Sequence, residues 1–221
     1  MEKRVSLVVV CVAICTLVMS TTSRANLLVD PGAEAEISAP NPNPTALSGW
    51  SFFGGTSFLT TGLAHSGTNV IFTPDNGGGY SVPGAYQNIP ASAGQTFTLS
   101  GWVYTPNVLP AAGNDFAILQ LQFWSDAAYS VADGGAVGVN IGHPAGGGVV
   151  PLPQGVWTFA SITATAPAGT VGVSAYGLDI NASANADFYF DDMVLVPEPS
   201  TVAMALTGLL GLAAFATKRR V

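Results

Sequence analysis

Apolar and polar side chains alternate in short runs through most of this chain. In "QTFTLSGWVYT" (95–105), Phe97, Leu99 and Val103 share one parity, while Thr96, Thr98, Ser100, Trp102 and Tyr104 share the other. Successive side chains on a strand point to opposite faces, so the run predicts a strand with an apolar inner side and a polar, ring-bearing outer side. "FAILQLQFWS" (116–125) divides the same way, with Leu119, Leu121 and Phe123 inward and Gln120, Gln122 and Trp124 outward. Further strands are predicted over 155–166, 170–180 and 186–196, between Gly, Pro and Asn clusters such as "TPDNGGGY" and "IGHPAGGGVVPLPQG". No stretch between the chain ends holds a helical period over ten or more residues. The expectation is one all-β domain over 26–196, a two-sheet sandwich with jelly-roll wiring.

Both chain ends depart from this pattern. Lys3 and Arg4 precede the apolar run "VSLVVVCVAICTLVM", and "SRA" at 23–25 places small residues where a signal peptidase reads them. Residues 1–25 therefore read as a signal peptide cut between Ala25 and Asn26. The alternative is an uncleaved anchor, for which the apolar stretch is short against the ~20 residues of a span. Cys11 and Cys15 both lie in this segment and lack the small preceding residues of a lipobox, so the mature protein has no cysteine and no disulfide.

The chain closes on Pro197, Glu198 and Pro199, the uncharged run "STVAMALTGLLGLAAFAT" (200–217), and a basic tail at 218–221 containing Lys218, Arg219 and Arg220. As a helix the run reaches roughly 27 Å at ~1.5 Å per residue, enough to cross the hydrocarbon of a membrane. The basic residues then stay cytoplasmic and the β domain lies outside. The segment 197–221 resembles the PEP-CTERM sorting signal of Gram-negative bacteria. That resemblance implies passage through the inner membrane, recognition there by an exosortase, removal of the tail, and delivery to the cell surface or extracellular matrix. The alternative is a simple tail anchor.

Charge narrows the function. All six Lys and Arg lie at positions 3, 4, 24 and 218–220, and the stretch between carries acids alone. A surface without cations repels phosphates, which excludes nucleic acid as a partner.

Six stretches, in this order, resemble jelly-roll carbohydrate-binding modules of the xylan- and glucan-binding kind: "NLLVDPGAE" (26–34), "SGW" (48–50), "HSGTNV" (65–70), "IPASAGQTFTLSGWVY" (89–104), "WTFASITATAPAGT" (157–170) and "FYFDDMVLV" (188–196). The resemblance implies a structural calcium ion held by Glu34, a carbonyl of Ser66 or Gly67, and Asp191. Asp30 and Ala33 stand where the family motif has an asparagine and an aromatic residue. Six to eight oxygens from distant segments suit that ion. In the other reading, Glu34 and Asp191 are ordinary turn and edge carboxylates. Alternation puts Asp191 on the side of Tyr189, Met193 and Leu195, expected to face inward, although the side with Phe188, Phe190 and Val194 is as apolar.

Trp102, Tyr104, Gln120, Gln122 and Trp124 form the candidate polysaccharide-binding group, with rings to stack on sugar faces and amides to bond hydroxyls. The competing expectation buries Trp102 and Trp124 under a long loop. Trp50 and Trp157 are expected in the core. Catalysis finds no support: there is no nucleophile elbow, His65 and His143 lack ligand spacing, and no glycine-rich phosphate loop joins a strand to a helix. Asp191 and Asp192, adjacent on a strand, are expected to point apart and not to form a glycosidase pair. The sequence thus leaves an exported polysaccharide-binding surface protein, a purely structural surface protein, and, third, an enzyme.

Overall fold

The computed structural model describes residues 25–35, 49–55, 57–60, 62–74, 80–109, 115–142, 150–180, 186–198 and 208. The chain divides into two compact units, Asn26–Val196 and one made of Met1–Ala25 with Pro197–Val221. Residues 1–24 of the expected signal peptide, Pro199, and 200–221 apart from Gly208 lie outside the described residues. Among those described, no helix is long and apolar enough to cross a membrane.

The unit Asn26–Val196 is built on strands. They are β1 (Ser51–Phe53), β2 (Ser57–Thr60), β3 (Asn69–Thr73), β4 (Gly84–Pro90), β5 (Thr96–Tyr104), β6 (Phe116–Trp124), β7 (Val137–Ile141), β8 (Thr158–Thr165), β9 (Gly172–Ile180) and β10 (Phe188–Pro197). Sheet I runs β1-β4-β9-β6-β7, and sheet II runs β2-β3-β10-β5-β8. The paired strands are antiparallel. The five longest strands, β5, β6, β8, β9 and β10, are those the alternation predicts; the briefer β1, β2, β3 and β7 carry too few residues for a period to show, and β4 lies between the two groups in length.

The inner sides of the two sheets share one core. Phe97, Leu99 and Val103 from sheet II and Leu119, Leu121 and Phe123 from sheet I are fully buried, and the rings of Phe97 and Phe123 lie 6.3 Å apart. Burying these side chains removes apolar surface from water on the two faces that alternation assigned inward. Trp50 is buried as expected, and its indole N–H donates to the Asp30 carbonyl at 2.8 Å.

β10 breaks its own alternation. Phe188 and Phe190 are in the core, but so are Met193 and Leu195, two residues of the opposite parity. The switch falls at Asp191 and Asp192, where Asp192 takes the left-handed conformation with φ 48°. An extra residue in one strand bends it and reverses its faces, as in a β-bulge. Tyr189 is therefore turned outward, where it stacks on Phe72 at 4.8 Å, and does not share the inner face with Met193 and Leu195. Past the bulge the N-terminal segment runs beside β10: Met193 N–H donates to the Pro31 carbonyl at 3.1 Å and Leu27 N–H to the Leu195 carbonyl at 2.8 Å. The Asn26 side chain closes the pair, donating to Met193 O and accepting from Leu195 N–H, each at 2.9 Å.

Candidate functional site

The five residues expected to form one sugar-binding group fall on two surfaces. Trp102 and Tyr104 lie on the outer side of β5 in sheet II, whereas Gln120, Gln122 and Trp124 lie on the outer side of β6 in sheet I. Alternation assigns a side chain to the inside or the outside of its strand, but says nothing about which sheet the strand joins. Two outward runs on consecutive strands therefore look like neighbours in the sequence whether or not they share a sheet.

On sheet I the register aligns Gln120 with Tyr176, Gln122 with Ser174 and, across β9, Tyr86 with Tyr176 and Asn88 with Ser174. The Tyr86 and Tyr176 rings stack 5.2 Å apart at 28°, with Phe53 meeting Tyr176 edge-on at 6.3 Å. Burial holds the Tyr176 phenol above its ordinary pKa, so it stays a hydrogen-bond donor. Trp124 donates its indole N–H to Ser174 Oγ at 2.7 Å, and Ser174 passes its own proton toward Asn88 Oδ1. This leaves the Asn88 amide N–H2 to face outward. Gln122 is turned aside, donating to the Phe123 carbonyl at 2.8 Å, while the Gln120 amide bonds no described residue. No Asp, Glu, Lys or Arg stands at an outward position of β1, β4, β6, β7 or β9; Asp179 of β9 is fully buried on the inner side. Tyr86, Asn88 and Tyr176 were missed from the sequence: in "GAYQNIP" the polar Gln87 takes a buried inward position, so β4 shows no clean alternation to bring its outward residues beside those of β9.

On sheet II the outward rings touch in sequence. Phe72 stacks on Tyr189, Tyr189 meets Tyr104 at 5.8 Å, Tyr104 meets Trp157 at 5.4 Å, Trp157 meets His65 at 5.5 Å, and His65 lies flat on Trp102 at 4.0 Å. Trp157 is thus half-buried in an outer ring cluster and not in the core where it was expected. Trp102 is half-buried and carries His65 on its ring; residues 110–114 and 143–149 of the long loops expected to cover it lie outside the described residues.

The residues expected at the calcium site do meet one loop. Asp191 Oδ2 accepts the backbone N–H of His65 at 2.7 Å and of Ser66 at 3.1 Å, and Oδ1 accepts that of Asp192 at 2.7 Å. Glu34 Oε1 accepts from Thr68 at 2.9 Å and Asn69 at 2.8 Å, and Oε2 from Thr68 at 3.0 Å. Gly67 at φ 66° lets that carboxylate approach, for a side chain there would overlap it. The loop thus offers N–H groups to both carboxylates. Burial pushes the Asp191 carboxyl up to about 6, against the lowering pull of those N–H groups.

Asp192 does not point away from Asp191 as alternation predicts. Its left-handed backbone brings it to the same loop, where Oδ2 lies 2.8 Å from His65 Nδ1 and Oδ1 accepts from Ser66 Oγ at 2.7 Å. The two carboxylates are side by side, and each accepts hydrogen bonds within the protein. No group of three or more His, Cys, Asp and Glu side chains among the described residues is arranged to hold a metal ion. A cation here would rest on Glu34 and Asp191, whose Oε2 and Oδ1 each meet a single N–H and so keep a lone pair, with carbonyls completing the shell.

Pro197 ends β10 and Glu198 follows it; both belong to a segment that matches a family model. Residues 195–220 are a PEP-CTERM protein-sorting motif. The PEP-CTERM match takes in Pro197, Glu198, Pro199 and the basic residues Lys218, Arg219 and Arg220. No curated protein sequence matches the chain. Among solved structures, the enzymatically active domain of tailspike protein 4 of bacteriophage CBA120 is similar at a TM-score of 0.52 and 12% identity, over 78% of this chain and 21% of that one. A Clostridium thermocellum endo-1,4-β-D-xylanase, seen as its CBM22-1 and GH10 modules with xylohexaose, gives 0.50 and 19% over 80% of this chain and 29% of that one. A family 16 carbohydrate-binding module gives 0.48 and 20%, over 77% of this chain and 99% of that one. At these identities the likeness concerns the fold. The chain spans well under a third of the first two proteins.

Proposed function

We propose that the PEP-CTERM chain is an exported protein whose 26–196 domain, a jelly roll, binds neutral polysaccharide on the outer face of sheet I. The observation that carries this reading is the uncharged face itself, where the stacked Tyr86 and Tyr176 lie among the outward amides of Asn88 and Gln120. Stacked rings offer a platform for the apolar face of a pyranose, and the amides supply direction. The described strands of this face hold no outward carboxylate to act as the acid or base of a glycosidase, which favours binding over catalysis. A face without cations gives a uronate or sulfated chain nothing to pair with. The xylanase whose structure includes a similar fold was solved with xylohexaose, a neutral sugar chain of the class proposed here.

Around this domain the reading places a signal peptide over 1–25, with exposed Ala25 preceding an anchored Asn26, and a transmembrane helix over 200–217. An exosortase-type enzyme of the inner membrane removes the tail, and the product reaches the cell surface or extracellular matrix. Calcium, held by Glu34 and Asp191, ties the N-terminal segment to β10.

Retention of the exported protein on immobilised neutral arabinoxylan, β-1,4-galactan and the producing cell's own extracted polysaccharide tests the reading. At least one is retained, and Tyr176→Ala lowers that retention. No retention on any of the three, or retention that Tyr176→Ala and Tyr86→Ala leave unchanged, overturns it.

A further inference from the structure

We infer that the protein has a second polysaccharide-contact surface, on the outer face of β5 and β8 in sheet II, so that one molecule bridges two neutral polysaccharide chains. The starting point is Phe159. It stands in β8 with 51% of its surface exposed, on the side opposite the buried Ala160. Its ring meets Trp102 edge-on at 5.5 Å, so it extends the outer ring cluster into solvent. A large exposed ring continuous with other rings marks a contact surface more often than a lone exposed side chain does.

The rest of the face says what it contacts. Toward the other end of the same two strands, Thr98 and Thr163 join their hydroxyls at 2.7 Å and Thr96 and Thr165 at 2.8 Å, with Ser100 opposite Ser161 between them and the rings. From Thr96 to Tyr104 the strip is about 27 Å long at ~3.4 Å per residue. Neither β5 nor β8 contains a charged residue. An uncharged strip of hydroxyl pairs ending in rings complements a molecule that is itself uncharged, flat, hydroxyl-edged and apolar on its faces. Anionic polymers meet no cation there.

The two contact surfaces face opposite ways because they are the outer sides of two sheets packed on one core. Two ligand chains can be held at once without meeting. The bridging, but not the second surface, rests on the reading of sheet I.

The test uses the exported protein with soluble arabinoxylan, β-1,4-galactan or the producing cell's polysaccharide, whichever is retained. Bridging turns such a solution turbid. Tyr176→Ala and Phe159→Ser should each still bind but give no turbidity, and the double variant should bind about tenfold more weakly than Tyr176→Ala, a loss of ~1.4 kcal/mol. Near-ultraviolet circular dichroism confirms that the exposed Phe159→Ser change leaves the fold intact. If Tyr176→Ala alone abolishes binding, the second surface is overturned while sheet I stands. If Phe159→Ser alone abolishes it and Tyr176→Ala does nothing, the second surface stands and the bridging and the sheet I reading fall. Turbidity unaltered by Phe159→Ser overturns the inference, as does a dimer in sugar-free buffer that Phe159→Ser converts to monomer.

Discussion

The imidazole of His65 lies on the indole of Trp102 with the ring planes 16° from parallel, and the same imidazole is bonded through Nδ1 to Asp192. One side chain thereby fastens the 62–68 loop to β5 and to the bulge of β10. His65→Ala removes a stacked pair and the hydrogen-bond contact with Asp192, and should destabilise the domain by about 1–2 kcal/mol. Urea unfolding measures the loss, and tryptophan emission should shift to the red as Trp102 gains water. An unchanged midpoint would show that the stack holds nothing.

Gly67 and Gly94 both have positive φ, 66° and 78°, but only Gly67 lies where a side chain would strike the Glu34 carboxylate. Gly94→Ala should cost the backbone strain alone, about 1 kcal/mol, whereas Gly67→Ala should cost roughly 2–4 kcal/mol by also displacing Glu34 from Thr68 and Asn69. Equal losses would mean that the Glu34 contacts are dispensable.

Calcium should raise the unfolding midpoint, because an ion bound only by the folded state stabilises it by mass action, about 2.7 kcal/mol at a hundredfold excess over Kd. Chelation should reverse the gain, and Glu34→Gln or Asp191→Asn should abolish it. A midpoint indifferent to calcium and chelator would remove the ion from the description.

In calcium-free buffer Asp191 sets a pH dependence of its own. Its carboxyl, ordinarily near 3.8, is raised by burial to about 6, so the folded state holds a proton that the unfolded state has released. Stability should therefore fall as pH rises from about 4 to about 6, and level off above. Asp191→Asn should remove that slope. A wild-type profile that rises through the window would contradict the assignment.

Protein recovered from the surface of its own host should begin at Asn26 and lack the segment after Pro199, as intact mass would record. Glu198→Ala should leave an unprocessed, membrane-bound form. Full-length chain through Val221 at the wild-type cell surface would rule out the sorting route.

What the sequence shows best is what depends on one strand at a time. Leu99 and Leu121 could be assigned inward because alternation is a property of the strand alone. Whether Trp102 and Trp124 share a surface depends on which strands become neighbours, and β5 and β6 are consecutive in the chain but belong to different sheets. Asp191 shows a second limit. The resemblance joins it to a carbonyl of Ser66 or Gly67 through an ion, whereas its contacts are with the N–H groups of His65 and Ser66, and the reversal of β10 that puts Asp192 beside it follows from a single left-handed residue that no periodicity announces. Tyr86 was missed for a simpler reason, since its strand holds few apolar residues and is recognised only once Tyr176 is seen to stack on it.

β10 is the middle strand of sheet II, held by β3 on one side and β5 on the other, and the chain leaves the domain from its end. Any hold on the residues beyond Val196 therefore pulls along the axis of an interior strand. The ladder hydrogen bonds on both flanks are then loaded in shear and must fail together, where an edge strand would peel away one bond at a time. Asn26, bonded across to Met193 and Leu195, adds a third line of resistance at the point where the load enters. A domain wired in this way resists tension applied at its C-terminal end.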